Sequence, residues 1–166
     1  MKRILVLLGA LCIMAISAIA YAPTNFAGTW VLDKTKSTGL QGRMANADVT
    51  MTVTQDGKQI TVDTKVVADG QTAPSQPFSY KVDGTETTVD VQGRMPGKAT
   101  LKAKWPDGGK TLDLTQVRNV NVQGNDVTIT ITDHWELADG GKSLKVHRIN
   151  DSPRGKQESD LVFNKQ

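Results

Sequence analysis

The sequence predicts an all-β protein: an antiparallel up-and-down meander of about ten strands, closed into a barrel. Three observations predict this fold. Apolar and polar residues alternate with a period of two from Asp48 onward, as in the run Val49, Met51 and Val53. Asp-Gly, Gly-Gly and Gly-Asn dipeptides, which favour tight hairpins, separate the alternating runs. Helical periodicity is weak throughout, and residues 38–47 suggest one turn at most.

The predicted strands follow one another along the chain, each joined to the next by a hairpin. They span residues 28–33, 48–54, 59–66, 77–82, 86–91, 98–105, 111–122, 126–137, 143–149 and 158–164. A meander with one apolar face can close on itself and so remove its exposed edges. A two-sheet sandwich is the alternative architecture, although sandwiches usually contain Greek-key crossings.

The amino-terminal residues have the pattern of a secretory signal peptide. A basic Met1-Lys2-Arg3 start precedes an apolar run over residues 4–20, and an Ala-Tyr-Ala cleavage pattern ends at residue 22. We therefore expect residues 1–22 to be removed and residues 23–166 to form one barrel domain that is periplasmic or secreted. An uncleaved anchor is the alternative, but the run is short for a bilayer span. We expect no stable membrane anchor after cleavage.

Composition argues against several classes of function. The single cysteine, Cys12, lies in the predicted signal, so the mature domain would hold neither a disulfide nor a thiol nucleophile. Loss of Lys2 and Arg3 removes two of the three net positive charges. A domain so close to neutral lacks the basic stripe of a nucleic-acid-binding protein. No Ser-His-Asp set converges, and we expect no enzymatic activity, no cofactor and no metal.

Pairing residues outward from each tight turn predicts the register of the meander. The turns used are 56–57, 83–84, 108–109, 124–125 and 140–141. All five put apolar residues opposite apolar residues, and a slip of one residue would invert every side chain. The predicted pairs are Val53 with Ile60, Phe78 with Val89, Trp105 with Leu112, Val120 with Ile129, and Leu137 with Leu144.

The stretch Asn25-Phe26-Ala27-Gly28-Thr29-Trp30 resembles the N-F-x-G-x-W signature that opens lipocalins and lipocalin-like, or calycin-type, barrels. The resemblance implies an internal pocket, with Trp30 packed across the closed end of the barrel. It also implies an arginine late in the barrel against that tryptophan, for which Arg148 is the best match. The family's second motif, around T-D-Y, is not evident. A count of ten strands is more similar to the fatty-acid-binding branch or to the nitrobindin-like barrels.

Connectivity assigns the loops to two ends of the barrel. The turns at 56–57, 83–84, 108–109 and 140–141 share one end with the amino terminus, and all four are tight. The opposite end carries the loops 34–47, 67–76, 92–97 and 150–157, with the tight turn 124–125. We expect a sealed end, filled by Trp105 and Trp135, and an open end whose loops carry recognition. A barrel of this size can hold one small ligand, and a barrel filled by side chains is the alternative.

Four polar residues on the predicted inner face form the candidate ligand-binding site: Gln116, Arg118, Asp133 and Arg148. The predicted register places Gln116 opposite Asp133, and Asp133 opposite Arg148. Asp133 can pair with one arginine, so the other requires an anion, which a ligand's acidic head group would supply. Two alternatives remain: an ion-pair network that satisfies itself, or a bulge near Gln116 and Val117 that turns Arg118 outward.

The two histidines are predicted to lie outside the barrel. His134 and His147 face each other across the last tight hairpin, on the outer face and without an obvious third metal ligand. We therefore expect a solvated pair rather than a metal site. The absence of an inward histidine also argues against haem binding of the nitrobindin-like kind.

These patterns favour an exported lipocalin-like protein that binds a small, mostly apolar ligand inside its barrel, with an anionic amphiphile as one form of that ligand. The partner is then a small hydrophobic or amphiphilic molecule such as a lipid. The alternative is a structural or protein-interaction module with a packed core and no ligand.

Overall fold

The computed structural model describes residues 23–93, 95–122 and 124–166. Most of them lie in eleven strands: β1 (Gly28–Leu32), β2 (Asp48–Gln55), β3 (Gln59–Ala68), β4 (Gln71–Thr72), β5 (Phe78–Lys81), β6 (Thr87–Val91), β7 (Gly97–Lys104), β8 (Leu112–Val122), β9 (Asn125–Ala138), β10 (Ser143–Ser152) and β11 (Gly155–Lys165). One short helix, α1 (Arg43–Asn46), and a 3-10 turn at Asp139–Gly141 complete the described elements. The expected signal peptide, residues 1–22, lies outside the described residues.

All eleven strands belong to one antiparallel sheet, which confirms the all-β meander. The sheet order is β4-β3-β2-β1-β11-β10-β9-β8-β7-β6, and β5 pairs with the other end of β3. The first and last strands are neighbours, with Trp30 opposite Lys165. The eleventh strand is β4, a two-residue strand on the edge of β3 that the sequence pattern did not predict.

The predicted hairpin between β5 and β6 is wrong, and the described part of the sheet is not closed by backbone pairing at this point. Phe78 lies opposite Val62 of β3, whereas Val89 lies opposite Ala99 of β7. The turn that follows β5 is held locally, because the Asp83 carboxylate accepts the backbone N–H of Thr85. We call the unpaired gap between β5 and β6 the seam.

A side-chain amide spans the seam. Gln76, in the loop before β5, donates from Nε2 to the backbone C=O of Asp90 at 2.6 Å. Its Oε1 accepts the backbone N–H of Gln92 at 3.0 Å. These two groups bracket Val91 on the free edge of β6, so the amide takes the place of one residue of a missing strand.

Two predicted hairpin registers are wrong by two residues. Val53 lies opposite Val62 rather than Ile60, because the Asp56 carboxylate accepts the N–H groups of Lys58 and Gln59 and so centres the turn one residue later. Since side chains alternate with a period of two, the same residues still face the core.

The β8–β9 hairpin shows the same kind of shift in the other direction. Val120 lies opposite Val127 rather than Ile129, and the Asn121 side chain accepts the N–H of Gly124 at the turn. The registers predicted around residues 108–109 and 140–141 are confirmed, with Lys104 opposite Asp113 and Leu137 opposite Leu144.

Aromatic residues fill the predicted sealed end. Trp30 and Trp135 are fully buried, and the Phe26 ring packs edge-on against Trp135 at 5.7 Å between centroids. The indole Nε1 of Trp30 donates to the C=O of Phe26 at 2.9 Å. Trp105 is half-buried and stacks on the other side of Phe26. The motif at the start of the domain is therefore part of the core.

The expectation that Arg148 packs against Trp30 is wrong. The cation over the indole is Lys165, whose Nζ lies 5.1 Å from the ring centroid, as the pairing of Trp30 with Lys165 places it. Arg148 is bound to Asp133 instead.

The segment before β1 crosses the sealed end. The backbone N–H of Thr24 donates to the C=O of Gly109, and the Gln55 side chain bonds to both Thr24 and Phe26. Among the residues that the structure describes, no helix is long and apolar enough to cross a membrane.

Candidate functional site

A cavity of about 290 Å³ lies inside the barrel, in the half away from the aromatic core. Strands β2, β3, β5, β8, β9 and β10 line it, together with α1 and the loop before β5. Its apolar walls are Met44, Met51, Val62, Val66, Pro74, Phe78, Leu114 and Ile131. Its polar lining is Thr64, Ser75, Gln76, Tyr80, Gln116, Arg118, Asp133 and Arg148.

The four residues predicted for the site all line this one cavity. Gln116 and Arg118 lie on β8, Asp133 on β9 and Arg148 on β10. The bulge that would have turned Arg118 outward is not present, since β8 pairs with β9 without interruption from Leu112 to Val122. The predicted inward orientation of these residues is therefore correct.

The predicted pairing of Gln116 with Asp133 is wrong. Asp133 lies opposite Leu114, and Gln116 lies opposite Ile131, because the β8–β9 turn is centred one residue earlier than expected. The predicted pairing of Asp133 with Arg148 is correct.

Asp133 and Arg148 form a bidentate ion pair. The Nε of Arg148 donates to one carboxylate oxygen at 2.7 Å, and its Nη2 donates to the other at 2.6 Å. Burial by itself lowers the pKa of Arg148, but the charge and hydrogen bonds of Asp133 more than reverse this, so the net shift is upward. The Asp133 side chain is only 11% exposed, against 34% for Arg148. One arginine of the site is thus already neutralised by the protein.

Arg118 has no such partner. Its guanidinium carbon lies 5.3 Å from the centroid of the Phe78 ring, and no carboxylate within the described residues forms an ion pair with it. Its Nε is buried without a hydrogen-bond partner among those residues. Burial lowers the pKa of Arg118, and the nearby charge of Arg148 adds to that effect. Within the described part of the chain, the cavity wall therefore carries one cation that lacks a counter-charge.

Two further polar groups face the same space. Tyr80 is buried, and its burial, reinforced by the charge of Asp133, raises the pKa of its phenol, which keeps it a neutral O–H donor. Gln116 is 5% exposed, and its Nε2 is buried without an acceptor in the described part of the chain. Among the described residues, the cavity lining thus includes two nitrogen donors without a protein acceptor, on Gln116 and Arg118.

Tyr80 is the site residue that sequence reasoning missed. The alternation of Phe78, Ser79 and Tyr80 is a signal that could have placed the tyrosine inward, but the predicted hairpin with β6 would have given it the wrong neighbours. Its place in the cavity follows from the pairing of β5 with β3, in which Tyr80 lies opposite Ile60.

Comparison with known proteins identifies the fold and nothing finer. No family model and no curated protein matches the chain. Among solved structures, the chain is similar to zebrafish ileal bile acid-binding protein complexed with cholic acid, with a TM-score of 0.52 and 12% sequence identity. The match covers 85% of this chain and 98% of that one. The expected calycin-type β-barrel is thereby supported in its coarse form.

Proposed function

We propose that this protein binds a small anionic amphiphile inside its barrel, with the acidic head group at Arg118. One observation carries the proposal: Arg118 lines the cavity with its Nε buried and unbonded, and its guanidinium has no carboxylate partner among the described residues. An unpaired charge in such a place is costly. A ligand carboxylate can accept two parallel hydrogen bonds from a guanidinium and offset that cost.

The donors around Arg118 favour the same ligand chemistry. The Gln116 amide and the Tyr80 phenol can both donate to an oxygen-rich head group, whereas Asp133 is occupied by Arg148. These donors can thus bind acceptor groups of the ligand. A cationic ligand would be repelled by the positive charge of Arg118. The site is selective by charge and by hydrogen-bond direction.

A trough at the open end offers a place for an apolar tail. A depression of about 160 Å³ shares Met44 and Arg148 with the cavity. A larger one, of about 500 Å³, continues from it through Asn150 and Gln157. Its apolar lining is Met95, Val122, Val127, Ile129 and Pro153. A cavity of about 290 Å³ is at the lower limit of ordinary ligand sites, so part of a longer ligand would lie in this trough.

The fold comparison supports a ligand of this class. The similar zebrafish protein is complexed with cholic acid, an acid with a large apolar body. The alternative, an interaction module with a packed core, is disfavoured by the cavity.

We also propose that the protein is exported to the periplasm or secreted, on the signal pattern of residues 1–22, and that it acts by binding rather than by catalysis.

The test has two parts. Native mass spectrometry of the protein purified from its source should show a non-covalent adduct that leaves as an anion. Titration with a fluorescent fatty acid and with its methyl ester, which has the same chain length, should show at least tenfold tighter binding of the acid. Equal binding of acid and ester would contradict a charged head-group site, and binding of neither would favour the packed interaction module.

A further inference from the structure

Four side chains form a row across the outer face of strands β8 to β11, on the side of the sheet away from the cavity. Asp113 lies opposite His134, His134 opposite His147, and His147 opposite Asp160. Adjacent strands are about 4.8 Å apart, so each of the four side chains is close enough to contact the next one in the row. We call this row the His–Asp ladder.

The carboxylates at its two ends orient both imidazole rings. Nδ1 of His134 lies 2.6 Å from Oδ1 of Asp113, and Nδ1 of His147 lies 2.8 Å from Oδ1 of Asp160. An ionised carboxylate only accepts hydrogen bonds, so each Nδ1 carries the proton and donates it. In the neutral ring this leaves the lone pair on Nε2.

The order of the strands fixes the direction of the free nitrogens. Asp113 and Asp160 lie on the two outermost strands of the four, so the Nδ1 edges of the rings turn away from each other. The opposite edges, which carry Nε2, therefore turn toward the line between β9 and β10. The two imidazole side chains are 44% and 42% exposed, which leaves Nε2 accessible from solvent.

A neutral imidazole whose other N–H is held by a carboxylate is the form in which histidine usually binds metals. We propose that His134 and His147 bind one divalent transition-metal ion of the Cu²⁺, Ni²⁺ and Zn²⁺ class through their Nε2 atoms. Asp113 and Asp160 are positioning residues, and water completes the coordination. This site is independent of the ligand proposed for the barrel.

The site is an open one with two protein ligands. Among the described residues, no group of three His, Cys, Asp or Glu side chains is placed to hold a metal. Closed structural zinc sites use four protein ligands, so this ion would be exchangeable. Imidazole selects for the copper, nickel and zinc class, whereas Mg²⁺ and Ca²⁺ prefer oxygen ligands.

The composition makes the site simple to test. His134 and His147 are the only histidines of the chain, so any imidazole signal has one origin. With the full chain, Cu²⁺ and Zn²⁺ affinities are measured by competition with a chromophoric chelator, and the nitrogen ligands of Cu²⁺ are counted by electron paramagnetic resonance. We expect one ion per chain, two nitrogen ligands and no competition from Mg²⁺.

Variants separate the roles within the ladder. His134→Gln or His147→Gln should abolish two-nitrogen binding, and Asp113→Asn or Asp160→Asn should each weaken affinity by about 10- to 100-fold. Asp90→Asn removes an exposed carboxylate elsewhere on the outer face and should change nothing. Circular dichroism and thermal melts confirm that each variant is folded.

Two results would overturn the proposal. If the double variant His134→Gln/His147→Gln binds the ion as tightly as the wild type, the binding is adventitious and the ladder is not a site. If both Asp→Asn variants keep full affinity, the carboxylates do not position the rings, and the geometry argued from them is wrong.

Discussion

The two arginines of the cavity have the same chemistry and opposite surroundings. Arg148 is held at two nitrogens by Asp133, its direct partner on the adjacent strand β9. Arg118 lies opposite Ala99 on one side and Ile129 on the other, and neither can balance its charge. The same residue type is thus ion-paired on β10 and, among the described residues, without a counter-charge on β8.

The difference teaches that inward orientation alone does not make a residue functional. Both arginines satisfy the same sequence criterion, a polar side chain on an apolar face. The protein supplies a carboxylate to only one of them, and it surrounds the other with the donors Gln116 and Tyr80. The region around Arg148 should therefore respond to substitution with a loss of stability, and the region around Arg118 with a loss of affinity.

The largest loss of stability is expected in the aromatic core at the sealed end, away from both arginines. Trp30→Ala should lower the free energy of unfolding by roughly 3–5 kcal/mol, as large aromatic truncations in cores do, because Trp30 is fully buried. Denaturant melts give the value. Trp105→Ala, at the half-buried rim, is the comparison and should cost less. A loss below about 1 kcal/mol for Trp30→Ala, the range of surface changes, would mean that the register of β1 is wrong.

Asp133→Asn comes next and tests the structural arginine. It removes the counter-charge of Arg148, and we expect a loss of roughly 2–3 kcal/mol, less than for a fully buried pair because Arg148 borders the cavity. Chemical denaturation measures it, with Asp90→Asn, an exposed carboxylate on the outer face, as a control of equal chemistry. The double variant Asp133→Asn/Arg148→Gln should recover part of the loss. Stability equal to the wild type for Asp133→Asn would show that the pair is not structural.

Gln76→Ala tests whether the Gln76 side chain holds the seam together next to the cavity. The variant loses two hydrogen bonds to the edge of β6, for a net effect of about 1 kcal/mol. Amide hydrogen exchange should accelerate at Gln92, whose N–H is bonded to Gln76. Gln71→Ala, at an exposed position of β4, should leave that exchange rate unchanged. Unchanged exchange in Gln76→Ala would indicate that the amide does not hold the seam.

The smallest change in stability is expected from the Tyr80 phenol, because its ionisation affects stability only at alkaline pH. Burial raises the pKa of the Tyr80 phenol above that of the unfolded chain, so the folded state resists ionisation while the unfolded state loses its proton. Stability is therefore unaffected below about pH 10 and falls as pH rises beyond it. Tyr80→Phe should remove this part of the alkaline loss. Ultraviolet titration of wild type against Tyr80→Phe measures the phenol directly, and ionisation at an ordinary pKa would contradict its burial.

Sequence periodicity was sufficient to predict which side chains face the inside of the barrel and which face outward. The inward orientation of Gln116, Arg118, Asp133 and Arg148 was predicted correctly despite a two-residue error in the β8–β9 register, since an even shift leaves the faces unchanged. The core position of Trp30 was implied by the resemblance of the opening motif to the lipocalin signature.

What failed was pairing that depends on side chains at turns and edges. Asp56 moves a turn by accepting two N–H groups, and Asn121 acts similarly at another. The seam was not predicted, because the rule that consecutive strands pair does not allow for the gap between β5 and β6, which the Gln76 side chain spans. Tyr80 was lost with that error. The carboxylate partners of the two histidines were missed for two reasons: the predicted β8–β9 register was wrong by two residues, and the β10–β11 hairpin was not among the turns used to predict register.

The most direct test of the account is the affinity of Arg118→Gln for an anionic probe. The substitution keeps polarity and most of the volume but removes the charge, and losing a charged hydrogen bond costs about 1.5–3 kcal/mol. Fluorescence titration should therefore show roughly ten- to hundred-fold weaker binding of a fluorescent fatty acid, with little change for its methyl ester and little loss of stability. Lys102→Gln, on the outer face and paired with Glu86, should bind both probes as the wild type does. Equal affinity of wild type and Arg118→Gln for the acid would contradict the central claim.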